Sequence, residues 1–147
     1  MRYWIEVTGD YQWELRLKGK LGLNAPNTRR YANFFKEIDK GDIILHHITT
    51  QRALKDDHKS SIVGISKAKS KMYEDGNKLL VDLKDSSEFF SPIAFDDYSK
   101  IETPSVKFQY LLHLNLQRYI IEIEKEDVKK IIQLKKENKS LLNKYNL

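Results

Sequence analysis

The sequence predicts an α+β protein: a small mixed β-barrel of about five to six strands flanked by helices. Three observations predict it. Runs rich in β-branched and aromatic residues recur at positions 3–7, 42–48, 62–68 and 79–83, and such runs bounded by turn residues read as strands. Between the first two, Tyr31, Phe34, Phe35 and Ile38 fall at i, i+3, i+4 and i+7, one apolar stripe of a helix. Positions 124–136 begin with acids and end with lysines, the charge order that suits a helix dipole. Strands interrupted by two early helices and followed by a terminal helix give the class.

Each element has a local reason. Asp10 is placed to cap a short helix over 11–18, with Trp13 and Leu17 on one face and Gly19 as its stop. Positions 21–23 form a brief extended piece closed by Asn24, Ala25 and Pro26. Asn27 or Thr28 caps the next helix, and Gly41 ends it. The continuous apolar run at 42–48 reads as a buried strand. Positions 49–60 are polar, with Arg52, Lys55, Asp56, Asp57, His58 and Lys59, and read as a mobile loop. Asp75 and Gly76 favour a turn over 73–77. Phe89 and Phe90 are expected in the core, and Pro92 marks a bend or a sheet edge. Positions 106–116 have a helical flavour, with Leu111 and Leu114 among the apolar residues, and 119–123 read as a short closing strand. Val128, Ile131, Ile132 and Leu134 are expected to face the core.

The chain of 147 residues reads as one domain over 1–136 followed by a polar tail or linker over 137–147. With 26 basic against 21 acidic residues the net charge is +5, a balance that fits nucleic acid or an anionic surface. No cysteine is present, which removes disulfides, thiol nucleophiles and thiolate metal sites and suits a cytoplasmic protein. No apolar stretch approaches the roughly 20 residues that span a bilayer, so no membrane partner is expected. His46 and His47 are adjacent on a strand, point to opposite faces and cannot easily share a metal. No His-x-x-x-His, His-Glu-x-x-His or glycine-rich phosphate loop appears. No catalytic residue, metal or cofactor is expected.

Five segments recur in a telling order: Arg2-Tyr3-Trp4-Ile5-Glu6-Val7-Thr8, Gly19-Lys20-Leu21-Gly22-Leu23-Asn24, Lys40-Gly41-Asp42-Ile43-Ile44-Leu45, Ile62-Val63-Gly64-Ile65-Ser66 and Met72-Tyr73-Glu74-Asp75. Together they resemble the EVE domain, a member of the PUA-like group of small β-barrels that also holds the YTH and ASCH domains. Within that group they resemble the N-terminal DNA-binding domain of McrB-like modification-dependent restriction proteins. The resemblance implies a non-catalytic module that takes a methylated base flipped out of double-stranded DNA into an aromatic-lined pocket. It implies a fused or associated GTPase and nuclease as partners, with the tail as linker. The matching pocket positions are Thr8, Asp10, Trp13, Leu21, Gly22, Leu23 and Tyr73. Trp13 and Tyr73 would flank the base, and Leu21 would cover its edge where relatives often carry Trp. Lys20, Arg29, Arg30, Lys67, Lys69 and Lys71 would hold phosphates, the last three alternating along one strand face. An RNA reader of modified bases keeps the same pocket. An ASCH-like amidohydrolase of modified nucleosides would draw on Lys18, Lys20, Thr8 and Glu74, although the Gly-x-Lys-x-x-Glu-x-Arg run of those enzymes is missing here.

Overall fold

A computed structural model describes residues 1–113 and 119–147. The expected helix residue Leu114 lies outside the described residues. The described strands are β1 (Tyr3–Thr8), β2 (Leu23–Pro26), β3 (Ile43–Ile48), β4 (Ser61–Ala68), β5 (Tyr73–Asp75), β6 (Lys78–Val81), β7 (Leu83–Ala94) and β8 (Ile120–Ile123). The helices are α1 (Asp10–Leu17), α2 (Arg29–Phe35), α3 (Phe95–Tyr98), α4 (Val106–His113), α5 (Lys125–Gln133) and α6 (Ser140–Lys144). The strands are eight rather than five or six. They pair as a five-stranded sheet in the order β7-β4-β3-β1-β8 and a three-stranded sheet in the order β2-β6-β5. Among the described residues this pairing does not close into a single ring. The α+β class stands.

β1 and β3 are parallel neighbours, so the chain needs a crossover between them. α1, β2 and α2 supply it. Because strand side chains alternate, the two faces of the large sheet acquire different cores. On one face Ile5, Ile43, Leu45, Ile62 and Ile65 pack with Phe108, Leu111, Val128, Ile131 and Tyr145. On the other, Trp4 and Ile44 join Leu23, Phe35, Ile38, Leu79 and Val81 between the two sheets. Each such aliphatic side chain, once buried, contributes about 1.5–3 kcal/mol.

Several local expectations are corrected. Gly9, not Asp10, is the N-cap of α1; Asp10 lies inside the first turn and sends its carboxylate elsewhere. Of the two expected caps of α2, Thr28 is the one used, its hydroxyl accepting from the Tyr31 N–H. The early extended piece begins at Leu23 rather than Leu21, because Leu23 to Pro26 pair with β6. The expected mobile loop at 49–60 carries two 3-10 turns and a buried His58. Tyr73 is not in a turn but begins β5, and the turn centres on Gly76. Phe89 is core, while Phe90, its neighbour on the opposite face of β7, is 71 % exposed. Leu134 lies past the end of α5 and is exposed. The segment after Lys136 packs on the domain: Asn138, Leu141 and Tyr145 are buried, the latter two in the main core. No described helix is long and apolar enough to cross a membrane.

Candidate nucleic-acid interface

α1 ends at Leu17, and Gly19 turns the chain with φ of +70°, a conformation that favours glycine. Residues 19–22 then run beside the junction of β6 and β7. A cleft of about 260 Å³ opens there, lined by Gly19, Lys20, Leu21, Gly22, Lys69, Asp82 and Leu83. Gly22 is required by close approach: a Cβ would run into the Val81 carbonyl. Below the floor, the Arg16 Nε and the Asn24 Nδ2 each donate to the Gly22 carbonyl at 3.4 Å. On the far side, Asp82 accepts from the Tyr73 hydroxyl at 2.6 Å, and this bond holds the phenol pKa above its ordinary value. The Asp82 N–H donates to the Ser70 hydroxyl at 3.0 Å, and Lys69 N–H donates to the Asp82 carbonyl at 2.6 Å. The cleft is therefore built from backbone, two leucines, one carboxylate and two exposed cations.

The structure brings together only some of the expected site residues. Lys20, Leu21, Gly22 and Lys69 share the cleft, and Tyr73, 42 % exposed, touches it through Asp82. The aromatic lining is corrected: no ring is among the residues that line it. Trp13 is 1 % exposed and packs with Ile48, Val63 and Ala53, its ring centroid 4.8 Å from that of His46. Leu23 faces the core between the sheets, because the side chain after Gly22 alternates inward. Thr8 is buried at the end of β1, and Asp10 is occupied by the Leu54 N–H and His58. Lys67, Lys69 and Lys71 do not form one row, since β4 ends at Ala68. The Lys67 ammonium sits 5.7 Å from the Tyr145 ring, and Lys71 pairs with Asp39 at 3.2 Å. Arg29 and Arg30 are exposed at the start of α2. Glu74 stands exposed on β5, in the other sheet from the buried Thr8. Sequence reasoning missed Asp82 and Leu83. The Val81-Asp82-Leu83 alternation reads as uninterrupted strand, with no sign that the chain passes there from one sheet to the other.

Behind the cleft, a polar row crosses the large sheet. The Tyr119 hydroxyl donates to Glu6 Oε2 at 2.8 Å. Glu6 Oε1 meets both Arg16 and His46 Nδ1, the latter at 2.7 Å. His46 Nε2 is 2.8 Å from the Ser66 hydroxyl, which is 2.8 Å from that of Ser86. Burial pushes the Glu6 carboxyl up, but Arg16, His46 and Tyr119 more than reverse it, and its pKa lies below the ordinary value. Burial also lowers the His46 pKa against the opposing pull of Glu6. An ionised Glu6 only accepts, so the neutral imidazole carries its proton on Nδ1. Nε2 then accepts from Ser66, and Ser66 accepts from Ser86. The order hydroxyl, imidazole, carboxylate is that of a hydrolytic triad. Here Ser66 and His46 are fully buried, and a guanidinium already neutralises the carboxylate. The arrangement is a satisfied polar layer that fixes Arg16 under Gly22.

Neither a protein-family model nor a curated protein matches the chain. Solved structures do. A structural-genomics protein from Agrobacterium tumefaciens is 15 % identical with a TM-score of 0.67, the alignment covering 91 % of this chain and 92 % of that one. The N-terminal domain of Staphylothermus marinus McrB is 18 % identical with a TM-score of 0.55, covering 88 % and 92 %. ASCH from Zymomonas mobilis is 11 % identical with a TM-score of 0.58, covering 90 % and 95 %. At such identities the likeness is one of fold. The chain has the PUA-like fold that the ASCH protein and the McrB N-terminal domain share with it.

Proposed function

We propose that the domain is a nucleic-acid-binding module that receives a methylated base, flipped out of double-stranded DNA, in the cleft between residues 19–22 and the β6–β7 junction. The observation that carries the reading is a mostly polar cleft in which two cations, Lys20 and Lys69, and one carboxylate, Asp82, stand beside Leu21 and Leu83. Lysines supply the phosphate attraction on which such binding depends. Leu21 and Leu83, both half-buried, offer an aliphatic edge to a methyl group, worth about 0.8 kcal/mol per buried carbon. Asp82 is placed to accept from an exocyclic amino group, the contact by which carboxylates read cytosine. That chemistry favours a modified cytosine, with adenine as the second candidate. Trp13 is buried in the core with Ile48 and Val63 and has no stacking role in this reading.

The test is a titration of labelled duplexes carrying one 5-methylcytosine, one 6-methyladenine or neither, at two salt concentrations. A preference of tenfold or more for one modified duplex, reduced in Leu21→Ala and Asp82→Asn, is the expected result. Equal affinity for all three duplexes overturns the reading and leaves electrostatic binding. Stronger binding of the matched single-stranded RNA would transfer the pocket to an RNA reader. Release of product from an N-acylated cytidine would make the domain an ASCH-like hydrolase.

A further inference from the structure

Two lysines face each other across one end of the large sheet. In the β4–β7 pairing, Lys67 stands directly opposite Lys84. Opposed residues of an antiparallel pair share a face, with Cβ atoms about 4.5–5.5 Å apart, and like charges placed so oppose folding. Lys67 is half-buried and Lys84 is exposed. A third lysine comes to the same ring from α6. The ammoniums of Lys67 and Lys144 each stand 5.7 Å from the centroid of the Tyr145 ring. Lys144 Nζ also donates to the Ser87 hydroxyl at 2.5 Å, and that hydroxyl lies 2.8 Å from the Tyr145 hydroxyl. The Tyr145 hydroxyl in turn bonds the Asp85 carbonyl.

The charges here do not cancel. Among the described residues none of these three lysines pairs with a carboxylate, whereas Lys55, Lys59, Lys71, Lys107 and Lys129 all do. The neighbouring carboxylate is Asp85, which is exposed. Burial raises the pKa of the Tyr145 phenol, and the Asp85 charge adds to that rise. Three cations thus meet one anion. The shared ring offsets part of the excess, and Ser87 offers Lys144 only a neutral acceptor. Folding alone gives no reason to hold Lys67 and Lys84 opposed.

We propose that Lys67, Lys84 and Lys144 form a binding site for a phosphate group, with the Ser87 hydroxyl beside it. A phosphate monoester carries a charge of about −1.5 to −2 at neutral pH, which matches three ammoniums less one carboxylate. On a nucleic-acid backbone two successive diesters supply the same charge. Each ammonium presents N–H donors and no acceptor, and hydrogen bonds between ionised partners are the strong ones. The site is separate from the cleft. Ala68 and Leu83, on the next rung, turn to the core between the sheets, so Lys67 and Lys84 face the other way. It therefore stands whether or not the cleft takes a base.

The experiment compares wild type with Lys84→Gln and Lys144→Gln. Lys129→Gln is the control, because Lys129 already pairs with Glu126. In melts without phosphate, Lys84→Gln ends the opposition and should unfold above wild type, whereas Lys129→Gln should not. Inorganic phosphate is then titrated at fixed ionic strength and followed by phosphorus NMR linewidth, and a plain DNA duplex is titrated separately. If the site takes free phosphate, both variants weaken phosphate binding about tenfold and leave duplex affinity unchanged. If it takes a backbone phosphate, they weaken plain and modified duplexes alike, and the preference that tests the cleft is untouched. Coincident binding of both probes by wild type, the two variants and the control overturns the site. A Lys84→Gln midpoint at or below that of wild type overturns it too, since the opposed pair would then need no anion. Lys84 and Lys144 are exposed, so the variants keep the fold, and the same melts check this.

Discussion

The side-chain amide of Asn138 pairs with both backbone groups of Ser91. Its Oδ1 accepts from the Ser91 N–H at 3.0 Å, and its Nδ2 donates to the Ser91 carbonyl at 2.7 Å. β7 is an edge strand of the large sheet, and unpaired edge groups invite pairing with other chains. A fully buried amide thus stands in for one residue of a missing strand. Asn138→Ala removes both bonds and leaves two backbone groups unpaired, which costs about 1–3 kcal/mol. Urea unfolding should give a lower midpoint by that amount, with faster light scattering on warming. A midpoint equal to wild type would show that water satisfies Ser91 equally well.

Acid should destabilise the domain before its carboxylates titrate. Burial lowers the pKa of His47 to about 4, and its Nδ1 accepts from or donates to the Tyr98 hydroxyl at 3.0 Å. The unfolded imidazole titrates near 6.5. The folded state therefore favours the neutral ring, and this stability is present in full above about pH 6.5. It is lost as pH falls through that value towards 4. The difference corresponds to about 3 kcal/mol. His46 is shifted in the same direction. Urea midpoints taken between pH 7 and pH 4.5 should fall steadily, and His47→Phe should flatten the curve without abolishing it. A midpoint independent of pH in that window contradicts the burial argument.

What the sequence discloses is what strand period and local turns encode. The opposed faces of His46 and His47 follow from alternation alone: one meets Glu6, the other Tyr98. The apolar positions of α2 and α5 follow from helical spacing, with Phe35, Val128, Ile131 and Ile132 all buried, and Ile38 is buried too although α2 ends three residues before it. Asp10 was opaque because an acid at a helix start looks like a cap, whereas its partners lie 44 and 48 residues away. β7 was opaque because residues 84–88 carry no apolar alternation, and Asp85 with φ of +51° bends the strand in their midst. In the candidate site, Gly19 was legible as the stop of a helix, and Leu21 and Gly22 as the start of an extended piece after it. Asp82 and Leu83 come to that turn through sheet pairing, which leaves no local mark.

Gly64 and Trp13 should behave as one packed unit. A Cβ at Gly64 would overlap the outer ring of the Trp13 indole and crowd the Ser87 carbonyl. Trp13 has no room to retreat, with Ile48, Val63 and His46 around it. Gly64→Ala should destabilise by about 1–3 kcal/mol, the range for overpacking. Trp13→Leu alone should cost a comparable amount through the space it leaves. Combined, the two should be less harmful than their sum, since the methyl fills part of that space. Strict additivity in thermal melts would place the indole elsewhere.

Salt dependence separates the two kinds of contact that the cleft is proposed to make. Lys20 and Lys69 line it with their side chains exposed, whereas Lys71 is already paired with Asp39. Each lysine that meets a duplex phosphate adds about 0.9 to the slope of log affinity against log salt. Lys20→Ala and Lys69→Ala should therefore each lower that slope by close to one and weaken modified and plain duplexes alike. Lys71→Ala should change it less, and Arg29→Ala and Arg30→Ala measure how far along α2 the contact extends. Asp82→Asn should do the opposite: it should leave the slope unchanged and shrink the ratio of modified to plain affinity, because its carboxylate meets the base and not the backbone. If Lys69→Ala altered the ratio and Asp82→Asn only the slope, the assignment of roles across the cleft would be reversed.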